Sequence, residues 1–355
     1  MIYIYLSLFT ILAGKIKQLQ NKRAYLSACF IQFFLVFVLR DATVGKDTND
    51  YLNIFNALLA NDDVRFELAH YEIGFRALNK FLVSIGCGER TLLFCIGLVI
   101  CLGFAKFIYD NTDDIVSCSL GTFIFSCVVF PASLNTMRQY MAVAIAIHFV
   151  SELKNKKIIK AVIFILIGAL FHKVVLLYLL LLIIYMIRKP KKIMYLAIPI
   201  AVITFVEFDL FVAIVGAFTS SFSYYLSSEY SVSRWFRMSS FIVVLEFILL
   251  WFSYFQSKKT KQESEIASYR IFLYVISVNL VFAILYLKNE VFSRILDSLD
   301  VFVVVSIPMA LLNIKGISRY SQVIKTIVYL IVFVILVNSV FSSGHGIQEY
   351  RFYFM

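Results

Sequence analysis

The sequence predicts an all-α, polytopic integral membrane protein, and three observations predict it. The chain of 355 residues is 61% hydrophobic and 17% aromatic, with a mean hydropathy of +0.86, which is more apolar surface than a water-soluble core can take in. Its apolar runs are continuous rather than alternating, which argues against a barrel, the other fold that satisfies its backbone in lipid. The basic residues behind the formal charge of +11 cluster between those runs. That is the mark of membrane topology rather than of a nucleic-acid surface.

About twelve transmembrane helices follow, read as one domain over 1–355. Ile2 to Gly14 lacks a charged leader and is followed by basic residues, so it reads as a first span starting outside rather than as a signal peptide. Ala24 to Leu39, Thr91 to Tyr109, Ser117 to Phe130 and Leu134 to Leu153 come next. The run 161–187 carries His172 and Lys173 at its centre; as one helix its 27 residues would extend about 40 Å against a hydrocarbon core of about 30 Å. It is therefore divided into Ile158 to Phe171 and Val174 to Ile187, meeting in an outer turn. Ile193 to Val206, Ser239 to Phe255, Ile266 to Leu287, Arg294 to Asn313 and Val323 to Phe341 complete the set.

Orientation follows from the basic loops at 15–23, 154–157, 188–192, 257–261 and 315–325, all on one side, which is then cytoplasmic. That side holds 20 Lys or Arg, of which four are Arg; the outer side holds 13, of which nine are Arg. Any positive charge sets topology, whereas the planar guanidinium suits bidentate contacts to phosphate or carboxylate. The outer face thus reads as an anion site, against the plainer expectation that its arginines pair with outer acids such as Asp47, Asp50, Asp62, Asp63, Glu67, Glu72 and Glu229.

Two long outer segments, 40–90 and 207–237, stand over that face. In the first, Gly45 permits a turn and Asp47, Thr48, Asn49 and Asp50 offer caps for a helix beginning near Tyr51. Glu72 to Ile85 interleaves apolar and polar residues as an amphipathic helix does, lying in the interface or re-entrant rather than spanning; counting it as a span would put 154–157 and 188–192 outside. In the second segment, Tyr224, Tyr225, Tyr230, Trp235 and Phe236 suit interface anchors or platforms for sugar rings.

The chain is organised around Pro131 to Phe149, a long apolar helix with Arg138 and Gln139 about one turn inside its start. A charge at the bilayer centre costs roughly 2.5 to 3.5 kcal/mol on insertion scales, so this arginine needs a partner. The six cysteines, all within the first 130 residues, show no metal-ligand spacing and read as small membrane-core residues. No metal or cofactor is expected.

RDATVGKDTNDY (40 to 51), YEIGF (71 to 75), SLNTMRQYMAVAIA (133 to 146), ALFHKVVLL (169 to 177) and SRILDSLDVFVVVSIP (293 to 308) stand in the order found in the EpsG-like family. The sequence resembles that family, which is similar to Wzy-type O-antigen and exopolysaccharide polymerases. The resemblance implies a metal-independent glycosyltransferase that polymerises undecaprenyl-diphosphate-linked oligosaccharide units at the periplasmic face of a bacterial inner membrane. Its partners would be the lipid-linked donor and acceptor, membrane lipids, a chain-length regulator and a flippase. Carried over, Arg40, Asp47, Tyr51, Glu72, Arg138, Gln139, His172 and Arg294 would form the site. Lys173 departs from the small Ser or Thr expected after the histidine.

Such chemistry needs donors aimed at the leaving diphosphate, for which Arg138, with Arg40 and Arg294 beside it, is the candidate; Gln139 and Tyr51 would line the same site. It also needs a base for the acceptor hydroxyl. His172 in its outer turn is one choice, and Glu72 or Asp47 with a raised pKa is another. A glycan ligase would share donor and arginines. A flippase of lipid-linked sugars would call instead for inverted repeats, which the sequence lacks.

Overall fold

The computed structural model describes residues 1–60, 68–187, 189–210, 213, 239–257, 263–313, 321–342 and 345–355. Among these residues the chain is helical, without a strand ladder. The expected aromatic platform from Tyr224 to Phe236, together with Arg65, Arg234, Arg237, Asp62, Asp63, Glu67 and Glu229, lies outside the described residues. The chain divides into two compact units, Met1–Leu179 with Thr326–Met355, and Leu180–Lys325.

The first unit opens with α1 (Ile2–Ala13), α2 (Lys22–Val38), α3 (Thr48–Leu59), α4 (Ile73–Ser84) and α5 (Glu89–Asn111). Then come α6 (Ile115–Ile124), a π turn over Phe125–Val129, α7 (Phe130–Asn135), α8 (Met137–Ala146), α9 (Phe149–Lys154) and α10 (Ile158–Ala169). The 3-10 turn Lys173–Leu176 leads into α11 (Leu177–Ile187), whose residues from Leu180 on belong to the second unit. Among lipid tails burial gives helices no hydrophobic reason to associate, so close packing must hold them together. Phe30, Phe33, Phe125 and Phe130 supply it, with ring centroids 4.9–6.1 Å apart; each such pair contributes about 0.5–1.5 kcal/mol.

The second unit holds α12 (Pro190–Val206), α13 (Ser239–Ser257), α14 (Glu263–Tyr286), α15 (Ser293–Asp300) and α16 (Val303–Asn313). Here polar contacts join helices: Ser306 with Glu246, Asn279 Nδ2 to Asp300 Oδ1 at 3.0 Å, and Ser253 Oγ to the Ala310 carbonyl at 2.8 Å. α17 (Ser321–Phe341) returns to the first unit.

Four stretches among the described residues are long and apolar enough to cross a membrane: Glu89–Asn111, Ile115–Asn135, Tyr269–Tyr286 and Gln322–Phe341; five shorter apolar helices accompany them. Among the described residues, then, fewer helices have spanning length than the twelve spans expected from hydropathy. Several of the apolar runs are broken. Pro131–Phe149 is not one helix: α7 continues α6 through the π turn, Thr136 breaks the chain at φ −90°, ψ 50°, and a turn at Ile147 and His148 separates α8 from α9. The region expected as a span from Arg294 divides likewise at Val301 and Phe302. By contrast, the expected break at His172 is present, with that residue extended at φ −159°, ψ 124°. The expected interfacial helix is α4, which buries Phe75, Asn79 and Leu82 on one face.

Within the first unit the basic loops sort to one end. Lys22 Nζ reaches the Tyr109 and Thr112 carbonyls at the end of α5, and Lys154 Nζ reaches Asn111 Oδ1 at 2.6 Å. At the other end of α5, Arg90 Nη1 donates to the Arg40 carbonyl at 2.6 Å. The 23 residues of α5 separate the two ends by about 34 Å, a membrane's thickness. Lys15–Arg23 and the 154–157 loop thus lie together, opposite Arg40 and Arg90.

Candidate functional site

The site lies at the Arg40 end of the first unit. Thr136 interrupts the apolar run, so Arg138 is the second residue of a new helix rather than a mid-helix charge. Its Nη1 is paired with Glu72 Oε2 and points at the Phe171 carbonyl at 3.5 Å. Glu72, the N-cap residue of α4, takes the Lys173 backbone N–H on its other oxygen at 3.1 Å. The two charged side chains are only 13% and 12% exposed. Removing one partner of such a pair strands the other, at a cost of about 3–5 kcal/mol when burial is complete.

The plainer reading of Arg138, a partner among the outer acids, therefore holds in part, yet the fork is not used up. Its Nε has no hydrogen-bond partner among the described residues. The guanidinium lies 4.8 Å over the Tyr71 ring and 5.9 Å from that of Phe75. Tyr51 completes an aromatic wall, 5.8 Å from Tyr71 and 5.5 Å from Phe75. Burial, then the neighbouring Tyr51, pushes the Tyr71 hydroxyl up to about 12; Arg138 acts against the rise while Asp50 and Asp47 add to it. Asp47, Asp50, Tyr51, Tyr71 and Arg138 thus share one electrostatic neighbourhood.

Two glycines make the close approaches that build it. Gly45 has φ +90°, and a Cβ there would collide with the Leu134 carbonyl oxygen. This brings the 40–48 loop onto the end of α7, where Asp47 N–H donates to Asn135 Oδ1 at 3.1 Å and Thr48 Oγ1 to the Leu134 carbonyl at 3.3 Å. Asp47 stands at the N-cap position of α3, but its side chain makes no cap bond. Gly74 N–H donates to the Leu170 carbonyl at 2.8 Å, where a Cβ would sit 2.7 Å from that oxygen. That contact seats α4 against the end of α10.

His172 Nδ1 accepts the Val174 backbone N–H at 3.2 Å, capping the 3-10 turn. In the neutral ring the proton is then on Nε2, assigned from this hydrogen bond. Lys173 contributes its backbone N–H to the site, so the departure from Ser or Thr leaves that contact intact; its side chain is exposed.

Arg40 is 0% exposed. Its Nη1 donates to the Phe37 carbonyl at 2.7 Å and Nη2 to Met137 Sδ at 3.4 Å, with the guanidinium 4.0 Å over the Phe37 ring. Burial pulls its pKa down to about 9, which leaves it charged at neutral pH. It thus braces the residue before Arg138 and does not meet solvent. Gln139 is buried next to Arg138. Arg294, exposed in the first turn of α15, belongs to the second unit.

The structure therefore brings together Asp47, Tyr51, Glu72, Arg138 and the His172 turn. Sequence reasoning missed Tyr71, Phe75, Asn135 and the main chain at Phe171 and Lys173. Tyr71 and Phe75 flank Glu72 and could have been found as the aromatic neighbours of the arginine's partner; Asn135 and the two backbone contacts leave no sequence signal. Among the described residues no three His, Cys, Asp or Glu side chains group to hold a metal.

A model of the EpsG family matches residues 23–352. The chain belongs to the EpsG family. EpsG proteins are associated with polysaccharide polymerases, so this member is a membrane protein of polysaccharide biosynthesis and a glycosyltransferase-type enzyme. No curated protein and no solved structure matches the chain. The matched residues of this EpsG protein include every element of the site described above.

Proposed function

We propose that this protein polymerises undecaprenyl-diphosphate-linked oligosaccharide repeat units into O-antigen or exopolysaccharide, at the outer face of a bacterial inner membrane. The observation that carries the reading is Arg138, a half-engaged guanidinium held by Glu72 over an aromatic wall, at the end of the first unit opposite its lysine loops. The sorting of lysine loops and arginine site to opposite ends supports an outward-facing site.

The reaction breaks the bond between the donor's anomeric carbon and its diphosphate oxygen, and joins that carbon to an acceptor hydroxyl. Negative charge grows on the leaving diphosphate. Arg138 is read as its main stabiliser, since a fixed donor aimed at developing charge lowers the barrier by roughly 3–4 kcal/mol. His172, with a proton on Nε2, is read as a second donor in its neutral form. The acceptor's proton then goes to a carboxylate. Asp47, in the electrostatic neighbourhood of Tyr71 and Arg138, is read as that base, and Glu72 as the group that positions Arg138 and the Lys173 turn. Tyr51, Tyr71 and Phe75 offer faces for sugar rings, and Gln139 and Arg40 position Arg138. The carboxylates and arginines need no metal for this chemistry.

Deleting the gene and restoring it with wild type or with Arg138→Ala, followed by electrophoresis of the surface glycan, tests the reading. A ladder collapsed to one repeat unit in the deletion and in the variant is expected. An unchanged ladder in the deletion would end the polymerase reading, and loss of all surface glycan would point to a ligase or a flippase.

A further inference from the structure

A groove of about 580 Å³ opens between α2 and α5, at the lysine-rich end of the first unit and away from the Arg138 site. Its walls are apolar, with Leu26, Phe30 and Phe34 on α2 facing Leu98 and Leu102 on α5. Its mouth is charged. Arg23 on α2 and Lys106, Tyr109 and Asp110 on α5 line it. Arg23 Nε donates to the Tyr109 hydroxyl at 3.2 Å, while Lys106 is paired with Asp110 at 2.6 Å on an exposed face. Lys22 stands next to Arg23 with its Nζ on the closing carbonyls of α5. The mouth is thus net positive.

Length and charge together choose the occupant. From Arg23 to Phe34 the groove follows α2 for roughly 16 Å at 1.5 Å per residue, and one leaflet's share of the hydrocarbon core is about 15 Å. A chain lying in it with its head at Arg23 and Lys106 therefore fits the acyl chain of a lipid from the leaflet at the lysine end. We propose that this groove binds an anionic glycerophospholipid, its phosphate at Arg23 and Lys106 and an acyl chain between α2 and α5. Basic pockets between helices on the cytoplasmic side recognise anionic head groups in this way. The ligand is not the glycan donor, whose diphosphate belongs to the opposite end.

Native mass spectrometry of the delipidated full chain in detergent micelles, titrated with phosphatidylglycerol or with phosphatidylcholine of the same acyl chains, tests this. Wild type should retain phosphatidylglycerol roughly 30-fold more strongly, given two basic groups near the surface. Arg23→Ala with Lys106→Ala should bring the two lipids to parity while both still bind. Ser27→Trp, at an exposed position lining the groove, should lower occupancy by both. Glycerol phosphate, which lacks acyl chains, should not compete. Equal retention of the two lipids by wild type, an undiminished preference in the double variant, or unchanged occupancy in Ser27→Trp would each overturn the proposal.

Discussion

Glu72 holds Arg138 through one carboxylate oxygen and the backbone N–H of Lys173, at 3.1 Å, through the other. One side chain at the N-cap of α4 thereby ties together the start of α8 and the turn that follows α10. Replacing Arg138 with Lys keeps a charge but loses the planar fork. Polymer synthesis should fall by about 10²–10³-fold, the range seen when one transition-state donor is lost, while membrane insertion stays normal. Glycan electrophoresis beside an immunoblot of the membrane fraction reads both, and normal long chains would remove Arg138 from the site.

Breaking the pair has a stability signature separate from activity. Arg138→Ala leaves Glu72 largely buried without its counter-charge, and should destabilise the protein by about 2–4 kcal/mol, somewhat below the fully buried limit. Adding Glu72→Gln should return much of that stability without returning activity. Thermal denaturation in detergent of the single and double variants gives the coupling; strictly additive losses would contradict a mutual pair.

His172 serves its turn through Nδ1 and is proposed to serve the substrate through Nε2. Asn is a good capping residue, so His172→Asn should keep the fold and lose activity at every pH. Full activity in that variant would reduce His172 to a cap.

The segment 345–353 pins the loop that carries Asp47. The His345 and Gly346 carbonyls accept from Lys46 and Gly45 at 3.3 and 2.9 Å, the Arg351 carbonyl accepts from Asp41 at 2.9 Å, and Phe352 bridges to Arg40. Removing residues 345–355 should abolish polymer and speed proteolysis at Lys46 in detergent. An active truncated protein would show that the loop holds its place alone.

Sidedness gives a further check. A cysteine at Lys173 should react with an impermeant maleimide on intact cells, and one at Lys156 only after permeabilisation. The reverse pattern would invert the topology.

Much of this arrangement was legible in the sequence, because charge in an apolar run has few explanations. Arg138 among alanines and valines demanded a partner, and the amphipathic pattern after Glu72 excluded a span there. His172 and Lys173 marked a break because a 27-residue helix is too long for the bilayer. The break at Thr136 was not legible: no Gly or Pro stands within four residues of it, and the chain turns where Leu134 and Asn135 meet Gly45, Asp47 and Thr48 from some 90 residues away. Arg40 was misleading for a related reason. At the end of an apolar helix it reads as a ligand, whereas the segment 345–353, remote in sequence, covers it.

The most direct measurement is chain growth by the purified protein in proteoliposomes, supplied only with an undecaprenyl-diphosphate-linked repeat unit from its own host. Glycans at whole-number multiples of the unit are expected, with undecaprenyl diphosphate released in step, and at least about a hundred-fold less of both from Arg138→Lys. Substrate that remains one unit long with wild-type protein, or growth that is equal in the variant, would contradict this expectation.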